Sequence, residues 1–311
     1  MYFPYLRGKQ FELIALRELS GILNPDKVIP IIEPLKRNTK GVETAISALA
    51  KKGIRVQLIV NPQYGDLVAR SNEVISLIEH LTAAGATNVI PTFLVNTNKD
   101  QLLVANTISE QGYDQTGYSL IHLNQIGATD ELSVLAKTTN CLYNMIQINQ
   151  LFALQRKYRP LPLAFLNDPF TKRQKNADYL DPDDEIFSSD YLYYREEGYV
   201  AFGDYLTIGE DFVDGGMLPR AVAIHLTYKD EGGDDIRIHH FVSDTNDDYN
   251  DPAGKFYEAL TKLIVFVDAA HIDSVAVRQF QDYYDRQAFP GLGVIKKLSI
   301  MHHIELVQSL I

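Results

Sequence analysis

Three carboxylates stand where chemistry would be placed: Glu33, Asp168 and Asp204, each at or just past the end of a short apolar run. Carboxylates from separate strand ends could hold a divalent metal through oxygen, or divide into a general acid and a general base. Neither a metal identity nor a ligand set follows, because no H-E-x-x-H, C-x-x-C or H-x-H pattern accompanies them. Asn61, Asn96, Asn124, Asn149 and Asn167 follow other apolar runs directly. Such asparagines either cap the next helix or form a ring of amides suited to a polar ligand. Arg7, Lys36, Arg37, Lys172 and Arg173 come after the first, second and seventh runs, where cations could meet a phosphate.

Other patterns carry less. DTNDDYNDP spaces Asp244, Asn246 and Asp248 like a calcium loop, but has Tyr249 where the sharp turn needs glycine and Lys255 in place of the bidentate glutamate. His239-His240 and His302-His303 are adjacent pairs, which point to different sides of an element rather than to one metal. The single cysteine, Cys141, reads as a small buried apolar residue and excludes an internal disulfide.

Positioning these residues requires regular elements, and the chain supplies them in alternation. VIPIIEPL is a β-branched run suited to a strand buried on both faces. The next segment sets Val42, Ala45, Ile46 and Leu49 at helical spacing and stops at Gly53. The unit recurs through RVQLIV, NVIPTFLV, YSLIHL, LYNMIQI, LPLAFL and GYVAFG; with the opening YFPYL this makes eight strand candidates. Strands alternating with helices mean parallel βαβ units, and eight of them predict an α/β protein of the (β/α)8 TIM-barrel type. No strand leads into G-x-G-x-x-G, the mark of the open dinucleotide-binding sheet.

The expected layout is a single barrel domain over 1–311. PRAVAIHLTYKD and DIRIHHFVSD flank Gly232-Gly233 and predict a β-hairpin inserted after strand eight, over 205–253. Further helices form a C-terminal extension over 273–311, whose apolar content calls for burial.

The 311 residues carry a formal net charge of -11. The acidity is local: the segment 178–251 holds 20 acidic and 4 basic residues, and the remainder is mildly basic. A basic patch, and with it nucleic acid as a partner, therefore stays open. An amino terminus without a leader-like run, the lone cysteine and the absence of a long apolar stretch predict a cytoplasmic, non-membrane protein.

The segments MYFPYLRGKQFELIALREL, NADY, EGYVAFGDY, PRAVAIHLTY and FPGLGVIKKLSIMHHIEL resemble a group of uncharacterised bacterial proteins that looks like a branch of the phage "beta protein" family. The resemblance implies a barrel-like fold and a role in phage conflict or mobile elements. It implies no reaction and transfers no catalytic residue. Two expectations follow: a barrel protein of bacterial defence, working with a protein partner on a phosphoester or nucleotide, or a barrel serving only as a binding or scaffold module. For the enzyme, Glu33, Asp168 and Asp204 would be catalytic, with Arg7, Lys36, Asn61, Asn96, Asn124, Asn167 and Arg173 binding the ligand.

Overall fold

A computed structural model describes residues 1–311 other than 214, 216–218 and 231. The described chain divides into two compact units, one of residues 1–167 with 193–204 and one of 168–192 with 205–311. The hairpin and the terminal helices, expected as separate additions to one domain, thus fall in the same second unit.

The first unit contains all eight anticipated strands as a closed parallel barrel: β1 (Tyr2–Leu6), β2 (Ile31–Ile32), β3 (Val56–Ile59), β4 (Val89–Val95), β5 (Tyr118–His122), β6 (Cys141–Gln147), β7 (Leu163–Asn167) and, after a further strand in sequence, β9 (Ala201–Asp204). Helices α1 (Gln10–Leu19), α2 (Lys40–Ala50), α3 (Ser71–Ala83), α4 (Asn98–Glu110), α5 (Tyr113–Thr116), α6 (Thr129–Thr138) and α7 (Leu151–Tyr158) lie between successive strands, α4 and α5 both in the β4–β5 connection. The start of α4 is set by a capping box, in which Asp100 accepts from the Thr97 N–H at 2.6 Å.

Which side chains point inward follows from one contact. The rings of Phe3 on β1 and Tyr143 on β6 meet at 4.9 Å, and these strands are not neighbours, so the two rings meet inside the barrel. Alternation then carries the inward face round the sheet through the register pairs. Phe3 and Tyr5, Ile31, Gln57 and Ile59, Ile90 and Thr92, Ser119, Tyr143 and Met145, Ala164 and Leu166, and Gly203 all face the axis. Closure is tight at Gly203, where a Cβ would stand 2.5 Å from the Phe3 carbonyl oxygen. Phe202 and Tyr2 face outward and pack with Tyr194. His122 is outward as well, against Tyr158 of α7 and hydrogen-bonded to Asn144 at 2.7 Å.

The second unit is built on a three-stranded antiparallel sheet. The anticipated hairpin forms from β10 (Ala223–Lys229) and β11 (Ile236–Val242), and β8 (Asp184–Ser188) adds to β11 as a third strand. α9 (Pro252–Ala269) covers one face, with Phe266 against Tyr228, His239 and Phe241. α11 (Leu292–Leu310) covers the other, where His303 meets Phe187 and bonds to Thr227 at 3.0 Å. The run Lys297–Ile304 of α11 is buried on every side, and α10 (Val275–Asp285), capped by Ser274, packs beside it. The terminal helices are therefore core elements. Among the described residues no helix is long and apolar enough to cross a membrane.

Two fully buried imidazoles give a pH prediction. Burial holds His122 in the first unit and His302 in the second at about 4, below the ordinary 6.5. Between those values the unfolded chain binds protons that the folded chain does not, so stability is full above about 6.5 and falls as pH drops toward 4. Each site contributes up to roughly 3 kcal/mol. Urea unfolding at a series of pH values should show this decline, and His122→Asn should flatten it in the first unit.

Candidate functional site

The carboxyl-terminal end of the barrel gathers a buried polar cluster on its inward face. β1 brings Tyr5 and, one inward step later, Arg7; β2 brings Glu33. The chain leaves β1 through Gly8, at φ +60, where a Cβ would stand 3.0 Å from the Glu33 carbonyl oxygen. Only glycine takes that backbone conformation without strain. The first turn of α1 then supplies Glu12, whose carboxylate accepts from the Arg7 N–H at 2.6 Å and fixes the strand end.

Glu33 is 1% exposed. One carboxylate oxygen accepts from the Tyr5 hydroxyl at 2.9 Å, the other from the Gln63 N–H at 2.7 Å, and Arg7 Nε stands 4.0 Å away. The Arg7 guanidinium lies over the rings of Tyr5 and Tyr64, at 5.8 and 5.6 Å from their centroids. Burial raises the Glu33 pKa; the Gln63 N–H, the Tyr5 hydroxyl and Arg7 all act against it, and burial outweighs them. The result is a carboxyl shifted toward neutrality, with a phenol and a cation beside it, which is the make-up of a proton-transfer site.

Asn61 plays a different part from the one its position implies. Asn61 donates to the Leu94 carbonyl and accepts from the Leu94 N–H, both at 2.9 Å. Its side-chain amide imitates a peptide group and extends the pairing of β3 with β4, so it is neither a helix cap nor a free ligand donor. Asn96 donates to the Gln63 side chain at 3.2 Å and accepts from Asn124, a chain of amides that runs from half-buried Gln63 to exposed Asn124. Asn167 ends β7, and Asn149 and Lys36 are exposed.

The three expected catalytic carboxylates do not converge within either unit. Asp204 shares the outward face of β9 with Phe202, and its carboxylate accepts from the Tyr2 hydroxyl at 2.7 Å. Glu33 and Asp204 thus lie on opposite sides of the barrel wall. Asp168 belongs to the second unit, where it accepts from the Glu210 N–H at 2.8 Å. Arg173, expected to bind an anion, is in the second unit too, paired with Glu185 at 3.0 Å, and Lys172 is paired with Asp211 at 3.4 Å. Among the described residues no group of three or more His, Cys, Asp or Glu could hold a metal. Cys141 is buried, which pushes its thiol up to about 12 and removes it as a nucleophile.

Sequence reasoning missed Tyr5, Gln63 and Tyr64 around Glu33. The signal for Tyr5 was available, since a tyrosine one inward step before Arg7 must share its face.

No family model matches the chain, and no curated protein matches it. Among solved structures it is similar to the N-acetylneuraminate lyase of Mycoplasma synoviae, at 12% identity and a TM-score of 0.40, over 66% of this chain and 68% of that one.

Tyr5→Phe removes a donor from a buried carboxylate. It should cost about 1–3 kcal/mol of stability and raise the Glu33 pKa further, since the lost hydrogen bond favours the ionised form. Chemical denaturation and a carbon-13 titration of the Glu33 carboxyl read the two effects separately.

Proposed function

We propose that the barrel binds an anionic small molecule at its carboxyl-terminal mouth and that Glu33 moves a proton in a phosphoester- or nucleotide-directed reaction. The carrying observation is the buried Glu33, its pKa raised by burial and its oxygens positioned by the Tyr5 hydroxyl and the Gln63 N–H. Arg7 supplies the planar cation suited to a phosphate, and the Gln63, Asn96 and Asn124 amides supply neutral polar contacts above it. The setting that accords with the resemblance to the beta protein family is the bacterial cytoplasm, in phage defence or mobile-element conflict, with a protein partner.

One observation favours a second reading, a barrel that binds without chemistry. Both oxygens of Glu33 already accept hydrogen bonds, and Asn61 spends its amide on the Leu94 backbone. A site so satisfied can recognise a ligand while transferring nothing.

Two substitutions separate the readings, with inorganic phosphate and a nucleoside triphosphate as probes. Arg7→Lys keeps the charge but loses the fork, and should weaken probe binding roughly ten- to hundredfold, the worth of one charge-assisted contact. Glu33→Gln keeps the shape and should leave binding close to that of the unaltered protein while abolishing turnover of the triphosphate. Binding without turnover in the unaltered protein selects the second reading. A protein whose melting temperature neither probe raises, with Arg7→Lys no different, sinks both.

A further inference from the structure

The second unit contains a cluster that the barrel reading does not use. The register of the hairpin places His225 of β10 directly opposite His240 of β11, and their Nδ1 atoms lie 2.8 Å apart. His240 Nε2 faces a Glu185 carboxylate oxygen from β8 at 3.3 Å, and the other Glu185 oxygen takes Arg173 at 3.0 Å. The Arg173 N–H donates to the Tyr179 hydroxyl at 3.0 Å. Phe170 and Tyr179 pack edge-on against the His225 ring, at 5.1 and 4.6 Å.

These contacts fix the protons. A carboxylate only accepts, so His240 carries its hydrogen on Nε2 and presents a lone pair at Nδ1. That lone pair accepts the Nδ1–H of His225, which leaves the His225 Nε2 as an unprotonated acceptor. His240 is 2% exposed, whereas the His225 ring is half-buried, and its Nε2 has no protein partner among the described residues. The charged or titratable neighbours of the pair are Glu185, Arg173, His239 and, from α11, Lys296. Burial first, and the neighbouring imidazole and Lys296 second, lower the His225 pKa well below the ordinary value. The free nitrogen therefore stays available in mildly acidic solution.

We propose that His225 is the general base of a second site, held in its accepting tautomer by His240 and Glu185, for the attack of water on an ester. The water O–H breaks, its proton goes to Nε2, and the hydroxide oxygen bonds to the ester carbon or phosphorus. The resulting cation is shared with His240 through the Nδ1–H···Nδ1 contact and faces the Glu185 carboxylate. The proton then passes from Nε2 to the departing alkoxide, and the imidazole returns to neutrality. Exposed Lys296, from the helix packed over this face, gives the site a preference for an ester carrying negative charge. His240 and Glu185 are positioning residues, since neither touches the water.

The full chain tests this directly. Long-range nitrogen-15 NMR on the unaltered protein should show His225 protonated at Nδ1 and bare at Nε2, with His240 protonated at Nε2; the reverse tautomers overturn the assignment. With p-nitrophenyl acetate and p-nitrophenyl phosphate as probes, His225→Gln should lose about a hundredfold of the cleavage rate, the ordinary worth of a general base. Glu185→Gln should lose less and shift the tautomer populations, a change that a purely structural role would not produce. Cleavage of either probe that depends on His225 supports the site, and the preferred probe names the ester. Equal rates in the unaltered protein and folded His225→Gln overturn it.

Discussion

The first unit depends on the closure of β1 against β9. That pairing joins Tyr2, Phe3 and Pro4 to Phe202, Gly203 and Asp204 and so ties the two ends of the barrel sheet together. It leaves no strand edge, and it fixes the phase of every strand. Gly203 permits it, because its missing Cβ leaves room for the Phe3 backbone. A one-residue slip here would turn Phe3 and Tyr5 outward and Tyr2 inward, exchanging the core ring of the barrel for a face built to meet helices. The cluster around Glu33 inherits its direction from this register, since Tyr5 can reach Glu33 only while both face the axis.

The order of the strands was legible because their β-branched runs alternate with helical spacing, and the count of eight decided the architecture. The phase was not legible. Strands covered on both faces read as continuous apolar runs, so nothing in VIPIIEPL or GYVAFG says which alternate residue turns inward. Glu33 and Asp204 therefore looked equivalent in the sequence, and only the Phe3–Tyr143 contact across the barrel separates them. Asn61 misled for a related reason. Residue type predicts a cap, but Asn61 reaches an open peptide group on β4 and acts as backbone.

The second unit was half legible. Gly232-Gly233 announced the hairpin, whereas β8 lies in DDEIFSS, a stretch whose acids suggest a solvated loop. Those acids are what the sheet uses: Asp184 accepts from Tyr228 at 2.7 Å and from Arg237 at 2.6 Å, and Glu185 takes Arg173 and His240. Of the cations that follow the seventh strand, Arg173 is thus used to pair β8, while Lys172 pairs with Asp211. The register was recoverable in principle, because pairing Lys229 with Ile236 across the turn sets His225 against His240.

Desolvation is the common electrostatic theme, and it acts with opposite sign on acids and bases. It raises Glu33 and lowers His122, His225 and His302, in each case favouring the neutral form. The protein answers the cost of those buried groups in different ways. His122 and His302 are satisfied by neutral partners and turned into core: Asn144 for the first, Ser274 and the Thr227 carbonyl for the second. Glu33 and His225 are instead held beside charge, with Arg7 near the carboxyl and Lys296 near the imidazole. A neutral buried group with a neutral partner has nothing to gain from a proton. Where a charge is adjacent, its sign decides the outcome: Arg7 favours the ionised form of Glu33 against its burial, whereas Lys296 lowers the His225 pKa further and holds that imidazole neutral.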